Sequence, residues 1–228
     1  MSFKDLRNYN EMKRPIHLLT QKTDESLIGQ SHWWGAPDLP EDVPYPCVRV
    51  QETMDDGHNE EYDEPLTFLF QLRLEDIAHV DTGLPKTGIL HFFAPLDYHL
   101  GELESPLDYH EKPVVLYTPC TDNLKPYVIT YEGTDESIFR PAERILVDRG
   151  EDIILFGSPV HEEMEWAHEG EICLLMLEEN EEWGLRFYDC GTYYIFVGKD
   201  FCKELEKQCR SCPGQSVRIE ASGDMFFF

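Results

Sequence analysis

The residues best suited to chemistry are His161, Glu165 and His168, which stand four and three positions apart. On a helix they would share one face, where two imidazoles and a carboxylate can hold a divalent metal. The stretch lacks the glutamate placement of a His-Glu-x-x-His site, because the second histidine comes seven residues after the first. A solvated acidic segment is therefore the better reading. Two Asp-x-His pairs, in Pro95-Leu-Asp-Tyr-His99 and Pro106-Leu-Asp-Tyr-His110, lie in a turn-rich connection and read as a local loop repeat. Cys202, Cys209 and Cys212 contain one Cys-x-x-Cys, which is short of the four ligands of a zinc site, so they are expected as metal-free thiols.

Asp189, before Cys190 and Gly191, fits a turn whose carboxylate accepts backbone N–H groups. A catalytic role would need a base or metal that the sequence does not identify. Gln71 stands in the apolar run Leu66–Leu72, where an unpaired amide is costly, and reads as a structural bracket whose partner is a backbone group or the matching half of the chain. Trp33 and Trp34 could stack a sugar or a base, but beside prolines they read first as core. No nucleophile elbow, phosphate-binding loop or dinucleotide fingerprint is present. No catalytic residue, cofactor or metal ligand is assigned.

Charge is the strongest compositional signal. Forty-five acidic residues against 19 basic give a net charge of −26, which repels nucleic-acid phosphates and anionic membranes and attracts basic proteins. The acidic residues cluster. Seven fall between Gln51 and Pro65 and nine between His161 and Glu182, with no Lys or Arg in either stretch. Glu60, Glu61, Asp63 and Glu64, with Glu162, Glu163 and Glu165, are thus the candidate contacts for a basic partner, against the alternative of a solvated rim. Lys4, Asp5 and Arg7 occupy the place of a signal peptide's apolar region, and the longest apolar runs, such as Ile172–Leu177, are too short to span a bilayer. With seven scattered cysteines, a reducing, cytoplasmic setting is expected.

These residues need positioning elements. Phe3, Leu6, Tyr9 and Met12 predict a short N-terminal helix, and Phe201, Cys202, Leu205 and Cys209, behind Asp200, predict a second over 200–210. Strands are expected at 66–72, 89–94, 114–117, 127–131, 172–177, 185–188 and 193–197. The Pro-rich stretch 37–46 should be a pre-ordered irregular segment across a sheet face. Trp34-Gly35-Ala-Pro37, an apolar strand and Gly88 before an aromatic strand are matched in order by Phe156-Gly157-Ser-Pro159, an apolar strand and Gly191 before another. That order predicts an internal duplication. The expectation is one α+β unit spanning 1–228, strand-rich, with halves of roughly 16–118 and 126–228 packed with pseudo-twofold symmetry.

The blocks Ser31-His-Trp-Trp-Gly-Ala-Pro-Asp-Leu-Pro-Glu-Asp-Val-Pro-Tyr-Pro46, Leu66-Thr-Phe-Leu-Phe-Gln-Leu72, Leu84-Pro-Lys-Thr-Gly-Ile-Leu-His-Phe-Phe93 and Phe187-Tyr-Asp-Cys-Gly191 resemble the signature blocks of the bacterial YwqG-like family. The resemblance runs from about residue 16 onward and carries Trp34, Gly35, Pro37, Gln71, Gly88, Gly157, Pro159, Asp189 and Gly191 as motif positions. It implies a shared fold and no defined activity. Some relatives are encoded near polymorphic toxin systems, which implies an immunity-type, partner-binding role. This chain departs from the pattern at His161-Glu-Glu-Met164, Leu177-Glu-Glu-Asn180 and Phe187-Tyr188-Asp189, so chemistry tied to those positions does not carry over. The preferred function is a non-enzymatic binding module with an acidic docking surface. Its competitor is an enzyme or metal protein with a site in a cleft between the halves. Oligomeric state is not legible.

Overall fold

The computed structural model describes residues 15–54, 57–96, 112–122, 124–148, 153–180, 187 and 191–226. The expected N-terminal helix, the Asp-x-His repeats and Asp189 lie outside them. In chain order, β1 (Ile16–Lys22), β2 (His32–Trp33), β3 (Asp38–Leu39), β4 (Cys47–Thr53), β5 (Asn59–Pro65) and β6 (Thr67–Arg73) lead through a 3-10 turn at Leu74–Ile77 into β7 (Ile89–Ala94) and β8 (Val114–Thr118). Then come β9 (Lys125–Pro126), β10 (Glu143–Val147), β11 (Ile153–Leu155) and helix α1 (Glu162–Ala167). The described chain finishes with β12 (Glu171–Glu178), β13 (Thr192–Gly198), helix α2 (Phe201–Ser211), β14 (Val217–Ile219) and β15 (Ala221–Phe226).

Eleven strands form a single sheet in the order β14-β8-β7-β6-β2-β10-β1-β11-β12-β13-β15, and every pairing is antiparallel. β14 and β15 stand at opposite ends of this order, yet only Glu220 separates them in the chain. The sheet must therefore curl until its ends approach, and it forms a nearly closed barrel. At the seam, a Cβ built on Gly223 of β15 would lie 3.0 Å from Cδ of Pro113, just ahead of β8.

This architecture overturns the α+β expectation and the two packed halves. The protein is mostly β, with two helices among its described residues. The regions before and after residue 120 do not face each other as separate bodies, because β10 lies between β2 and β1 and hydrogen-bonds to both. A sheet that closes on itself buries one face without helices to cover it, so abundant strand signals with few helical ones describe a barrel.

Curling divides the apolar residues by face. Trp33, Phe70, Leu72, Leu90, Phe92, Leu175, Leu177, Tyr193 and Ile195 fill the interior with the buried side of α2, Phe201 and Leu205. Phe70 and Phe92 stack there at 4.3 Å. Outside, Phe68, Phe93, Val114 and Leu116 are covered by Leu39 and Tyr45 of the Pro-rich segment, with Tyr127, Ile129 and Phe139. A second outer cluster places Met164 of α1 over Cys173, Met176, Tyr194 and Phe196. β6 and β12 are therefore covered on both faces, which is why they read as continuous apolar runs rather than alternating ones. The expected strand at 127–131 holds only an isolated bridge, Thr130 to Ser137, because its apolar side chains are used to cover an existing sheet.

Candidate functional site

The densest buried polar grouping lies on the outer face of β2, β6 and β7. Register places His32 opposite Gln71 and Gln71 opposite His91, so three polar side chains form a row across three strands. Asp38 of β3 closes over the row and is 1% exposed. Its backbone N–H donates to Gln71 Oε1 at 2.9 Å. Its carboxylate Oδ2 accepts from Gln71 Nε2 at 2.7 Å and from the Gly29 N–H at 2.7 Å. The second Nε2 proton of Gln71 goes to the Gln30 carbonyl at 3.0 Å.

The two imidazoles complete the bracket. His91 Nε2 meets the Asp38 carbonyl at 3.0 Å and His32 Nδ1 meets the Trp34 carbonyl at 2.7 Å. A carbonyl can only accept, so both of those nitrogens carry their proton. Burial pushes the His91 imidazole down to about 4, against the opposing pull of the Asp38 carbonyl and carboxylate. Beside this row, Ser31 Oγ donates to Asp76 at 2.6 Å and accepts from the Arg73 N–H at 2.8 Å. The grouping ties β3 and the 27–31 loop to the barrel wall.

The motif positions around it serve the same tie. Trp34 is buried with a left-handed φ of 52°, and Arg140 lies over its ring at 5.1 Å. It is therefore no open stacking platform. Its N–H donates to Leu69, the residue bulged out of the β6–β7 ladder. Phe156, with φ 56°, donates in the same way to Leu174, bulged out of the β12–β13 ladder. The two aromatic-Gly-x-Pro blocks thus make the same turn. Pro37 is buried and its carbonyl accepts from the Tyr127 N–H, while Gly157 is buried and Pro159 half-buried. Gly88 has a left-handed φ of 101°, and a Cβ there would sit 2.7 Å from the Thr118 carbonyl oxygen. Gly191 packs against Phe187.

The histidines expected to share a helix face flank α1 instead. His161 precedes it and His168 follows it. His161 stacks on Phe226 at 3.9 Å and its Nδ1 lies 2.7 Å from the Tyr194 hydroxyl. Burial holds its imidazole below the usual range, with Glu163 pulling the other way. His168 stacks on Phe196 at 3.7 Å, with Nδ1 2.6 Å from Glu171 and Nε2 3.2 Å from Asp224. Glu165 is exposed on the helix between them. Among the described residues, no group of three or more His, Cys, Asp or Glu side chains is placed to hold a metal ion. Cys47, Cys120, Cys173, Cys202, Cys209 and Cys212 are free thiols, and burial pushes Cys173 up to about 12.

The acidic candidates sit on two separate elements. Glu162, Glu163 and Glu165 are exposed on α1, between the eighth and ninth strands of the sheet order. Glu60, Glu61, Asp63 and Glu64 lie on β5, which with β4 forms a ribbon outside the barrel sheet. Arg49, just upstream of the stretch without basic residues, reaches across to Asp63 at 3.1 Å and Glu61 at 3.3 Å. Gln51 Nε2 donates to Glu61 at 2.6 Å and the Tyr62 hydroxyl to Glu52 at 3.1 Å. The ribbon is thus an acidic, exposed surface with one cation on it, where solvent screens each pair.

Asp38, His32, His91, Asp76, Asp224 and Tyr194 were not singled out by sequence reasoning. His91 stands in an apolar strand as Gln71 does, so the same argument would have found it. Asp38 and Asp224 carry no such signal, since acidic residues beside Pro and Gly read as turns. No helix among the described residues is long and apolar enough to cross a membrane. None of the curated proteins compared with the chain matches it. The family model described as Domain of unknown function (DUF1963) matches residues 31–145, just over half of the chain and the part that contains the Asp38–Gln71–His91 bracket, and the protein therefore belongs to the DUF1963 family.

Proposed function

We propose that this protein is a non-enzymatic binding module of the YwqG-like type that docks a basic protein on its acidic surface, with the β4–β5 ribbon as the principal contact. The observation that carries this reading is the ribbon itself: an exposed two-stranded element, separate from the barrel sheet, with Glu60, Glu61, Asp63 and Glu64 on one strand and Arg49 as its cation. A field of this sign steers a basic partner over roughly a Debye length of 8 Å at physiological ionic strength. The exposed carboxylates of α1 form a second contact for the same partner. The polar row around Asp38 supports the reading indirectly, because most of its donors and acceptors are spent on holding the fold. The YwqG-like resemblance suggests an immunity-type role for such docking.

Capture of basic proteins at low and high salt tests it. Replacing Glu60, Glu61, Asp63 and Glu64 with Lys should remove the captured partner, and added salt should slow its association. The fold should remain intact, since Glu60, Glu61 and Asp63 are exposed and Glu64 half-buried, and carboxylates so placed contribute little to stability. If this cluster and that of α1 are both reversed and the partner is retained, acidic docking is wrong.

A further inference from the structure

The backbone of the ribbon is oriented to add a strand. The Met54 N–H donates to the His58 carbonyl and the Leu66 N–H to the Pro46 carbonyl, one pair at each end of the β4–β5 register. In an antiparallel pair, hydrogen-bonded and non-hydrogen-bonded positions alternate. Val48, Val50 and Glu52 therefore turn their N–H and C=O groups toward Glu64, Tyr62 and Glu60, while Asn59, Glu61 and Asp63 turn theirs to the outer side of β5. Among the described residues no strand pairs with that outer side.

We propose that the outer edge of β5 accepts an extended basic segment of a partner protein as an added antiparallel strand, an inference that rests on the acidic docking reading. Charge selects the occupant. Alternation along β5 puts Glu60 and Glu64 on one face and Glu61 and Asp63 on the other, so an incoming strand meets carboxylates on both of its faces. A second copy pairing through the same edge would set these rows against each other, and like charges on neighbouring strands are destabilising. The edge thus repels its own kind and admits Lys- and Arg-rich sequence. Pro65 ends the site, because it has no N–H to offer an added strand. Main-chain hydrogen bonds supply the affinity and the flanking carboxylates the selectivity.

The test uses the full chain and a synthetic nonapeptide of alternating Lys and Val, beside the same peptide N-methylated at alternate amides so that charge is kept and strand pairing is lost. The expected result is salt-sensitive binding of the unmodified peptide and about tenfold weaker binding of the methylated one, which corresponds to roughly two lost hydrogen bonds. Glu61→Pro, which removes an outward N–H, should weaken binding more than Glu61→Gln, which removes only the charge. Equal binding of the two peptides overturns strand addition and leaves acidic docking standing. Binding of neither peptide at low salt overturns both, and self-association of the chain through this edge overturns the choice of occupant.

Discussion

The Gln71 amide serves Asp38 twice, accepting from its N–H and donating to its carboxylate. Removing one partner of a buried charge leaves that charge poorly compensated, which costs more than the bond itself contributes. Gln71→Ala should therefore lower the unfolding free energy by about 2–4 kcal/mol in denaturant titrations, and a value near zero would show that Asp38 is held by its other contacts. His91 gives a prediction in pH. Its folded-state value of about 4 lies below the ordinary 6.5, so the unfolded chain binds the extra proton first as pH falls. Stability is full above pH 6.5 and declines toward pH 4, by on the order of 3 kcal/mol from this group. A His91→Gln variant should lack that part of the acid loss, which unfolding curves at successive pH values would show. Gln71 was legible because an amide interrupts an apolar run; Asp38 was not, because its burial depends on β3 folding over β6 and β7, contacts 33 and more residues away.

Turns and ribbons decide the elements. Gly35 has a φ of +74°, and a Cβ there would lie 2.6 Å from the Ala142 Cβ. Gly35→Ala adds left-handed strain to a clash, for an expected loss of about 2–4 kcal/mol in unfolding titrations. Ala142→Gly in that background should return the part due to the clash alone. The ribbon makes its own prediction. Amides of Glu60, Tyr62 and Glu64, which face β4, should exchange with deuterium more slowly than those of Glu61 and Asp63, and the reverse order would show the register to be shifted by one. β4 carries a faint strand signal in Val48 and Val50, but Asn59-Glu-Glu-Tyr-Asp-Glu-Pro65 has the composition of a loop. It becomes a strand by pairing, since β propensity is largely a report of neighbours. The 162–167 helix was likewise masked by its acidic composition, and Met164, its one buried residue, is its anchor.

At the scale of the whole molecule, closure is the controlling event. Beside the seam, a Cβ added to Gly223 of β15 would collide with the Tyr193 hydroxyl of the neighbouring β13 and press on Pro113 across the seam, and the Tyr193 ring is fully buried. Gly223→Ala should therefore cost about 1–3 kcal/mol and lower the melting temperature, because the ring has no room to swing aside. An unchanged melting temperature would mean that the Tyr193 ring can move aside. The sequence by itself determined the acidic surface, the central strands β6, β7, β8, β12 and β13, helix α2 and the bracket role of Gln71, because each is written in local composition or periodicity. Only the tertiary structure decided the barrel, the merging of the expected halves through β10 between β2 and β1, the burial of Asp38 and the placing of the acidic candidates on separate elements. The physical reason is that strand pairing is non-local. A strand's residues specify that it will pair and which face it buries, while its neighbours depend on the path of the chain between, and in a closed sheet the last pairing depends on all the others.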